Sequence, residues 1–274
     1  AWHIDPTPDD SLLQRPPSDR RREQQPPAPR QRDRWRDRLF DALEDHGVDA
    51  QTAAQQAACD ALRDPAVAVA CITGPAGTGK TLLAVQEGLY HLADGRVDTL
   101  LILRPTVTTA NEELGFLPGS VGDKVGPFAQ PILDAIKQLT GDARMAESLR
   151  QQSVLVLDAL AYLRGRSLSR CYVIADEMQN ARNEQIKCLL TRPEPSTKIV
   201  VLGDPAQSDL NAGAPAAAST VPVLSGAPSA LGRWVEAIKA DGYEGFRCVE
   251  MAVLDVQRSA AVQRMLAIAQ RADL

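Results

Sequence analysis

The sequence has few aromatic residues and lacks the cysteine and histidine spacings that are typical of metal sites. Phenylalanine, tryptophan and tyrosine make up 4% of the 274 residues. The core must therefore be built from alanine, valine and leucine, and few rings are present to stack on nucleic-acid bases. The five cysteines form no CxxC pair and the three histidines are isolated. This pattern disfavours a metal site made from these residues and favours reduced thiols in the cytoplasm.

Long apolar runs are also missing. No uninterrupted apolar stretch reaches the ~18 residues that span a bilayer, and the first residues contain no signal-peptide core. We therefore expect no membrane partner and a cytoplasmic location. The formal net charge of −5 does not indicate nucleic-acid binding through total charge, although a local basic groove is compatible with it.

The first 36 residues differ in composition from the rest of the chain. They contain seven of the nineteen prolines, with eight arginines against six acidic residues. Such a segment cannot bury enough apolar surface to fold alone. We predict a disordered Pro/Arg-rich tail over residues 1–36 and a folded domain over residues 37–274. The tail's arginines could touch nucleic acid or another subunit, but a solvated tail without a fixed role is the favoured interpretation.

Six short apolar runs alternate with helical patterns after the tail. Because the runs are continuously apolar, they predict strands that are buried on both faces of a mostly parallel sheet, sandwiched by helices in an α/β fold. The predicted strands are 66–72, 99–104, 153–158, 171–176, 198–203 and 246–251. The predicted helices are 36–47, 50–64, 79–93, 127–151, 182–192, 229–240 and 259–271. A long Ala/Pro/Ser/Gly loop is expected over 211–228.

The segment "GPAGTGKT" at 74–81 directly follows the first apolar run. A strand, a glycine-rich loop ending in Lys-Thr and then a helix form the phosphate-binding P-loop pattern. The backbone N–H groups of the loop and the start of the helix would hold phosphate oxygens. Lys80 would reach the β- and γ-phosphates, and the Thr81 hydroxyl would bind Mg²⁺. The predicted nucleotide-binding residues are Gly74, Pro75, Ala76, Gly77, Thr78, Gly79, Lys80 and Thr81.

A second motif, "CYVIADEMQN", ends an apolar run in two acidic residues, Asp176 and Glu177. Asp176 would hold Mg²⁺, mostly through water, and Glu177 would polarise the water that attacks the γ-phosphate. An acidic pair at a strand end could alone be a helix cap, but its combination with a P-loop favours the metal role. The second acidic residue favours hydrolysis over phosphate transfer to a small molecule, because a water nucleophile needs a base.

A third motif, "KIVVLGDPAQSDL", ends a strand at Gly203 and places Gln207 shortly after it. A glutamine at this position can contact the γ-phosphate or its attacking water. An Asp-Pro turn without function would account for the motif alone. The order of the three motifs, each at a strand end, favours the catalytic interpretation.

These three motifs together resemble the nucleotide-binding half of superfamily 1 helicases. Four further segments narrow the resemblance to the PhoH-like family of ATPases: "RPTV" at 104–107, "LGFLPGS" at 114–120, "YLRGRSL" at 162–168 and "DVQRS" at 255–259. The resemblance covers about residues 50–270. It implies that residues 37–274 form a RecA-like domain that binds ATP and Mg²⁺, hydrolyses ATP weakly and assembles into a ring of six. Some members of the family act on RNA.

One glutamine position and one arginine allow two interpretations each. Gln56, with Gln55 as the alternative, lies at about the distance before the P-loop where helicase-like ATPases recognise adenine, and a surface glutamine is equally plausible. Arg104 follows a predicted strand, where it would contact phosphate or nucleic acid, or form a structural ion pair.

Loop arginines are candidates for a guanidinium that reaches across a subunit boundary to the γ-phosphate. Loop arginines are usually solvated, so each is a weak candidate alone. The candidates are Arg164, Arg166 and Arg258, and the last two are included among the predicted catalytic residues.

The sequence is compatible with three functions. The first is an ATPase of the PhoH-like type, coupled to RNA or single-stranded nucleic acid. The second is an ATP-dependent switch or assembly module with little turnover, and the third is a small-molecule kinase. The Asp-Glu pair and the glutamine motif disfavour the kinase. The sequence shows no second motor domain, so a hexameric ring would have to supply the other half of each ATP site.

Overall fold

The computed structural model describes residues 34–105, 121–163, 167–207 and 229–257, together with residues 264, 265 and 268. For residues 121–128 it describes the helical backbone only. The predictions for residues 1–33, for the loop 211–228 and for most of the helix 259–271 concern residues outside these ranges. The unit that contains all described residues runs from Arg34 to Leu274.

Six parallel strands form one sheet in the described part of the chain, as predicted. They are β1 (Val69–Thr73), β2 (Thr99–Arg104), β3 (Leu155–Ala159), β4 (Cys171–Ala175), β5 (Lys198–Gly203) and β6 (Phe246–Glu250). Their order across the sheet is β3-β2-β4-β5-β1-β6. The P-loop strand β1 therefore lies between β5 and β6, and β5 separates it from β4.

Helices cover both faces of this sheet. They are α1 (Arg34–His46), α2 (Ala53–Arg63), α3 (Lys80–Ala93), α4 (Val121–Thr140), α5 (Met145–Gln151), α6 (Asn183–Leu190) and α7 (Ala230–Asp241). Side chains from α1 to α5 share one apolar core with one face of the sheet, and α6 and α7 share a second core with the other face. Along β1, Ala70 and Ile72 belong to the first core, and Val69 and Cys71 belong to the second. This two-sided burial explains the continuously apolar strands.

The predicted helix boundaries differ from the observed ones, most of all around α4, which begins at Val121 and not at residue 127. The single helix predicted over 127–151 is two helices, because α4 ends at Thr140 and Gly141 adopts a φ of 64°, which starts a turn. The Thr140 hydroxyl donates to the carbonyl of Ile136 at 2.7 Å and closes the last turn of α4. Helix α1 begins at Arg34, which lies inside the predicted tail.

The carboxyl ends of β1, β4 and β5 lie along one edge of the sheet. Thr73 at the end of β1 is in register with Gly203 at the end of β5, and Ala175 of β4 is in register with Val201. Residues that follow these strands are thereby brought together, as expected for a parallel sheet. None of the helices that the model describes is long and apolar enough to cross a membrane.

Candidate functional site

A cleft of about 250 Å³ opens where the chain leaves β1, β4 and β5. All three predicted motifs contribute residues to its wall, so the structure brings together the P-loop, the Asp-Glu pair and Gln207. The lining residues are Ala76, Gly77, Gly79, Lys80, Thr81, Leu82, Asp176, Glu177, Gln179, Gly203, Asp204 and Gln207.

The P-loop has the backbone that its glycines predict. Gly74, Gly77 and Gly79 have φ values of 140°, 85° and 87°, which residues with a β-carbon rarely adopt. A β-carbon on Gly74 would also collide with the carbonyl group of Met251. Helix α3 starts at Lys80, directly after the loop, so its unpaired N–H groups and positive dipole end face the cleft. The loop is therefore built to hold an anion.

The Lys80 ammonium lies over the loop itself. Its Nζ donates to the carbonyl oxygens of Gly74 at 2.6 Å and Pro75 at 2.7 Å. Burial lowers the pKa of Lys80, and three nearby carboxylates oppose that shift. A partly buried cation held against a glycine-rich loop is well placed to compensate phosphate charge.

Asp176 is a buried carboxylate with two side-chain partners. Its side chain is 4% exposed. Oδ1 accepts a hydrogen bond from the Thr81 hydroxyl at 3.3 Å, and Oδ2 accepts one from Arg104 Nη2 at 2.8 Å. Thr81 and Asp176 thus present neighbouring oxygen ligands, which fits Mg²⁺, since this ion binds few protein groups and keeps water and phosphate ligands. In the described residues no group of three or more His, Cys, Asp or Glu could hold a metal.

Arg104 forms an ion pair with Asp176 at 2.8 Å, which is one of its two predicted roles. Replacing Arg104 with methionine leaves the buried Asp176 carboxylate without its cation. We expect the free energy of unfolding to fall by on the order of 3 kcal/mol, measured by urea denaturation.

The matched control for this variant is Arg150→Met, which breaks the exposed ion pair with Glu147. Side chains in that pair are 40% and 58% exposed, so this loss should stay below about 1 kcal/mol. Equal losses in the two variants would contradict the structural importance of the Arg104–Asp176 pair.

Glu177 projects from a strained backbone into the cleft. Its φ of 57° and ψ of 38° place a residue with a β-carbon in the left-handed region. Its N–H donates to Asp176 Oδ1 at 3.1 Å, and its carboxylate Oε2 accepts a hydrogen bond from Gln179 Nε2 at 2.6 Å. Glu177 is exposed, so water can reach its carboxylate. Strained backbones of this kind occur at functional sites.

A turn after β5 brings Gln207 to the cleft. The Gln207 N–H donates to the carbonyl of Asp204 at 3.0 Å, and the Asp204 carboxylate accepts the Ala206 N–H at 3.0 Å. Gln207 is exposed and lines the cleft, as its predicted role requires.

Gln55, and not Gln56, contacts the P-loop. The buried Gln55 donates from Nε2 to the carbonyl of Thr78 at 3.0 Å and accepts the Gln51 N–H at 2.7 Å. Gln56 is exposed and bonds Asp60 one turn along α2. The predicted first choice, Gln56, therefore faces away from the loop, because it lies on the outer face of the helix. Adenine recognition stays a prediction, now for Gln55.

The arginines predicted to act across a subunit boundary are outside the described residues. They are Arg164, Arg166 and Arg258. The neighbouring Gln257 is described, and its N–H donates to the carbonyl of Gly77 at 3.2 Å. The chain that follows β6 therefore touches the P-loop.

Gln179 and Asp204 also line the cleft, although the sequence assigned no role to either. Gln179 lies in the same motif as Glu177, but no spacing rule predicts that its side chain turns back to the carboxylate. For Gln55, by contrast, the sequence contains a signal that predicts burial. This glutamine shares one buried face of α2 with Ala58, Cys59 and Leu62, at helical spacing.

A glycine-rich loop between a strand and a helix, with a strand-end Asp-Glu pair beside its Lys-Thr, defines the class of P-loop NTPases. Within that class the model of the PhoH-like protein family matches residues 47–270. The chain belongs to this family, which confirms the resemblance seen in its motifs.

The chain is similar to several curated relatives. It is 37% identical over 193 residues to a PhoH-like protein of Bacillus subtilis (strain 168), covering 70% of this chain and 55% of that protein. It is 41% identical over 141 residues to a PhoH-like protein of Mycobacterium tuberculosis (strain H37Rv), covering 52% and 40%. The chain thus spans about half or less of the length of these relatives. A solved structure of the DUF1998 helicase MrfA bound to DNA is 15% identical, covers 66% of this chain and 27% of that chain, and has a TM-score of 0.39. That likeness is too distant to carry a functional argument.

Proposed function

We propose that the chain binds ATP with Mg²⁺ in the cleft and hydrolyses it. The observation that carries this proposal is the convergence of Lys80, the Thr81–Asp176 pair, Glu177 and Gln207 on one cleft. Cation, metal ligands, base and water-orienting amide are the groups that phosphate-bond hydrolysis requires.

Each residue has a separate task in this proposal. The P-loop N–H groups and Lys80 hold the phosphates. Thr81 and Asp176 hold Mg²⁺, which when bound neutralises charge on the phosphate oxygens. Glu177 accepts a proton from the attacking water, and Gln207 orients that water against the γ-phosphate. Arg104 keeps Asp176 in place through its ion pair.

We further propose that turnover is coupled to RNA or single-stranded nucleic acid and that the working unit is a homo-oligomer, with a ring of six as the expected form. Exposure of Glu177 and Gln207 at an open cleft supports an oligomer, since a neighbouring subunit could close the site. We place the protein in the cytoplasm because its scattered cysteines suit a reducing compartment.

Phosphate release from ATP, measured with and without single-stranded RNA, tests the function. We expect Mg²⁺-dependent release that RNA increases. Tight ATP binding without release would favour the switch or assembly module. Phosphate transfer to a small molecule in place of water would favour the kinase. Equal stimulation by RNA and by single-stranded DNA would show that the coupling does not distinguish ribose from deoxyribose.

Replacing Lys80 with alanine removes the cation that compensates the β- and γ-phosphates. We expect the affinity for ATP to fall at least ~10-fold in titration calorimetry. The control is Lys239→Ala, which removes an exposed lysine that pairs with Glu236 and Glu250 on α7 and β6. Unchanged ATP binding in the Lys80 variant would refute the assignment of the P-loop.

A further inference from the structure

Gln179 joins two motifs of the cleft through its side-chain amide. It is buried, with 6% of its surface exposed. The amide Nε2 donates to Glu177 Oε2 at 2.6 Å, and the amide Oε1 accepts the backbone N–H of Asp204 at 3.2 Å. A charge-assisted hydrogen bond of this length is among the stronger kinds in proteins. Gln179 therefore links the proposed base to the end of β5.

The absence of a side chain on Gly203 makes room for this amide. A β-carbon on Gly203 would lie 2.7 Å from Gln179 Oε1 and 2.7 Å from Leu231 Cδ2. Any larger residue at this position must therefore displace the Gln179 amide as well as the Leu231 side chain. The glycine of the third motif is thus coupled sterically to the glutamine of the second.

The linkage ends at Glu177 on one side and at the turn that begins at Asp204 on the other. Glu177 has a left-handed backbone, which is strained for a residue with a β-carbon and persists only where its surroundings hold it. Asp204, which donates to Gln179, also accepts the N–H of Gln207. A continuous path of hydrogen bonds thus runs from the Glu177 carboxylate through Gln179 to the turn that carries Gln207.

We propose that Gln179 is a positioning residue that aligns the Glu177 carboxylate with the turn over Asp204 and Gln207. The inference rests on the proposed function, because it assumes that Glu177 acts as the base in ATP hydrolysis. A shift of the Gln207 turn moves the Asp204 N–H, and the glutamine transmits that shift to the carboxylate. The base and the water-orienting amide are thereby placed as one unit.

Two substitutions separate the two hydrogen bonds. Gln179→Met keeps nearly the same size and removes both bonds. We expect its kcat to fall about 10- to 100-fold, as for a small misplacement of a reacting group, with an unchanged Kd for ATP and Mg²⁺. Gln179→Glu keeps an acceptor for Asp204 but sets a second carboxylate against Glu177, so its kcat should fall at least as far.

Hydrogen exchange gives a readout that needs neither nucleotide nor turnover. The Asp204 amide proton should lose protection in the Gln179→Met chain and keep it in the Gln179→Glu chain. Protection that is unchanged in the methionine variant would contradict the linkage. A loss of ATP affinity as large as the loss of kcat would show a general structural role and overturn the proposal.

A double-mutant cycle tests whether Gly203 acts through the same amide. Gly203→Ala should lower kcat by displacing Gln179, and the double variant should be no slower than the slower single variant. Losses that add would overturn the coupling.

The Glu177→Gln chain, run in parallel, separates the two hypotheses. If the wild-type chain binds ATP and releases no phosphate, the proposed function fails. If the Glu177→Gln chain turns over at the wild-type rate, Glu177 is not the base and the positioning role fails with it. If it is inactive while Gln179→Met keeps the wild-type kcat, the positioning role alone fails.

Discussion

Replacing Glu177 with glutamine should lower ATP turnover at least ~100-fold and leave the affinity for ATP and Mg²⁺ unchanged. The substitution keeps the size of the side chain and the buried Asp176 with its partners Thr81 and Arg104. What it removes is the group that accepts the proton of the attacking water. Turnover by steady-state phosphate release and affinity by calorimetry, measured on the same preparation, separate chemistry from binding.

The matched control is Glu184→Gln, which removes the same charge from an exposed position in the first turn of α6. It should leave turnover unchanged. Turnover close to wild type in the Glu177 variant would show that another carboxylate is the base. Asp204 would then be the next candidate, because it lines the same cleft.

Removing an arginine that acts across a subunit boundary should have an even larger effect on turnover. An arginine supplied from outside the site can raise the rate of nucleotide hydrolysis by ~10³-fold. The sequence candidates are Arg164, Arg166 and Arg258. We expect the alanine variant of the acting arginine to bind ATP normally and to hydrolyse it about 10³-fold more slowly. Arg144→Ala, which removes an exposed arginine between α4 and α5, is the control.

Mixing subunits tests whether the arginine acts in trans. Chains that lack it, combined with Glu177→Gln chains, should regain part of the activity, because some boundaries then join an intact Glu177 to an intact arginine. Light scattering in the presence of ATP gives the mass of the assembly. A monomer with full turnover would rule out the shared site, and so would wild-type turnover in all three arginine variants.

The pattern of apolar runs in the sequence predicts most of the fold. The runs 99–104 and 198–203 coincide with β2 and β5, because both are continuously apolar and end at polar or glycine residues. The break between α4 and α5 was missed, since the helical pattern on either side of Gly141 continues in phase and only the glycine marks the turn.

Within the site, the sequence predicts those residues that directly follow the strand or loop that positions them. The P-loop and the strand-end Asp176 and Glu177 are adjacent in sequence to the elements that place them. Gln179 was missed because its function depends on a contact with Asp204, 25 positions away. The choice of Gln56 over Gln55 ignored the phase of α2, in which Gln55 shares the buried face.

Phosphate release from ATP by the full chain, with Mg²⁺ and with EDTA, tests the central claim most directly. The account predicts saturable release that requires Mg²⁺ and falls at least ~100-fold in the Glu177→Gln chain at equal nucleotide occupancy. Equal release by the wild-type and Glu177→Gln chains, or no release by a wild-type chain that has ATP bound, would contradict it.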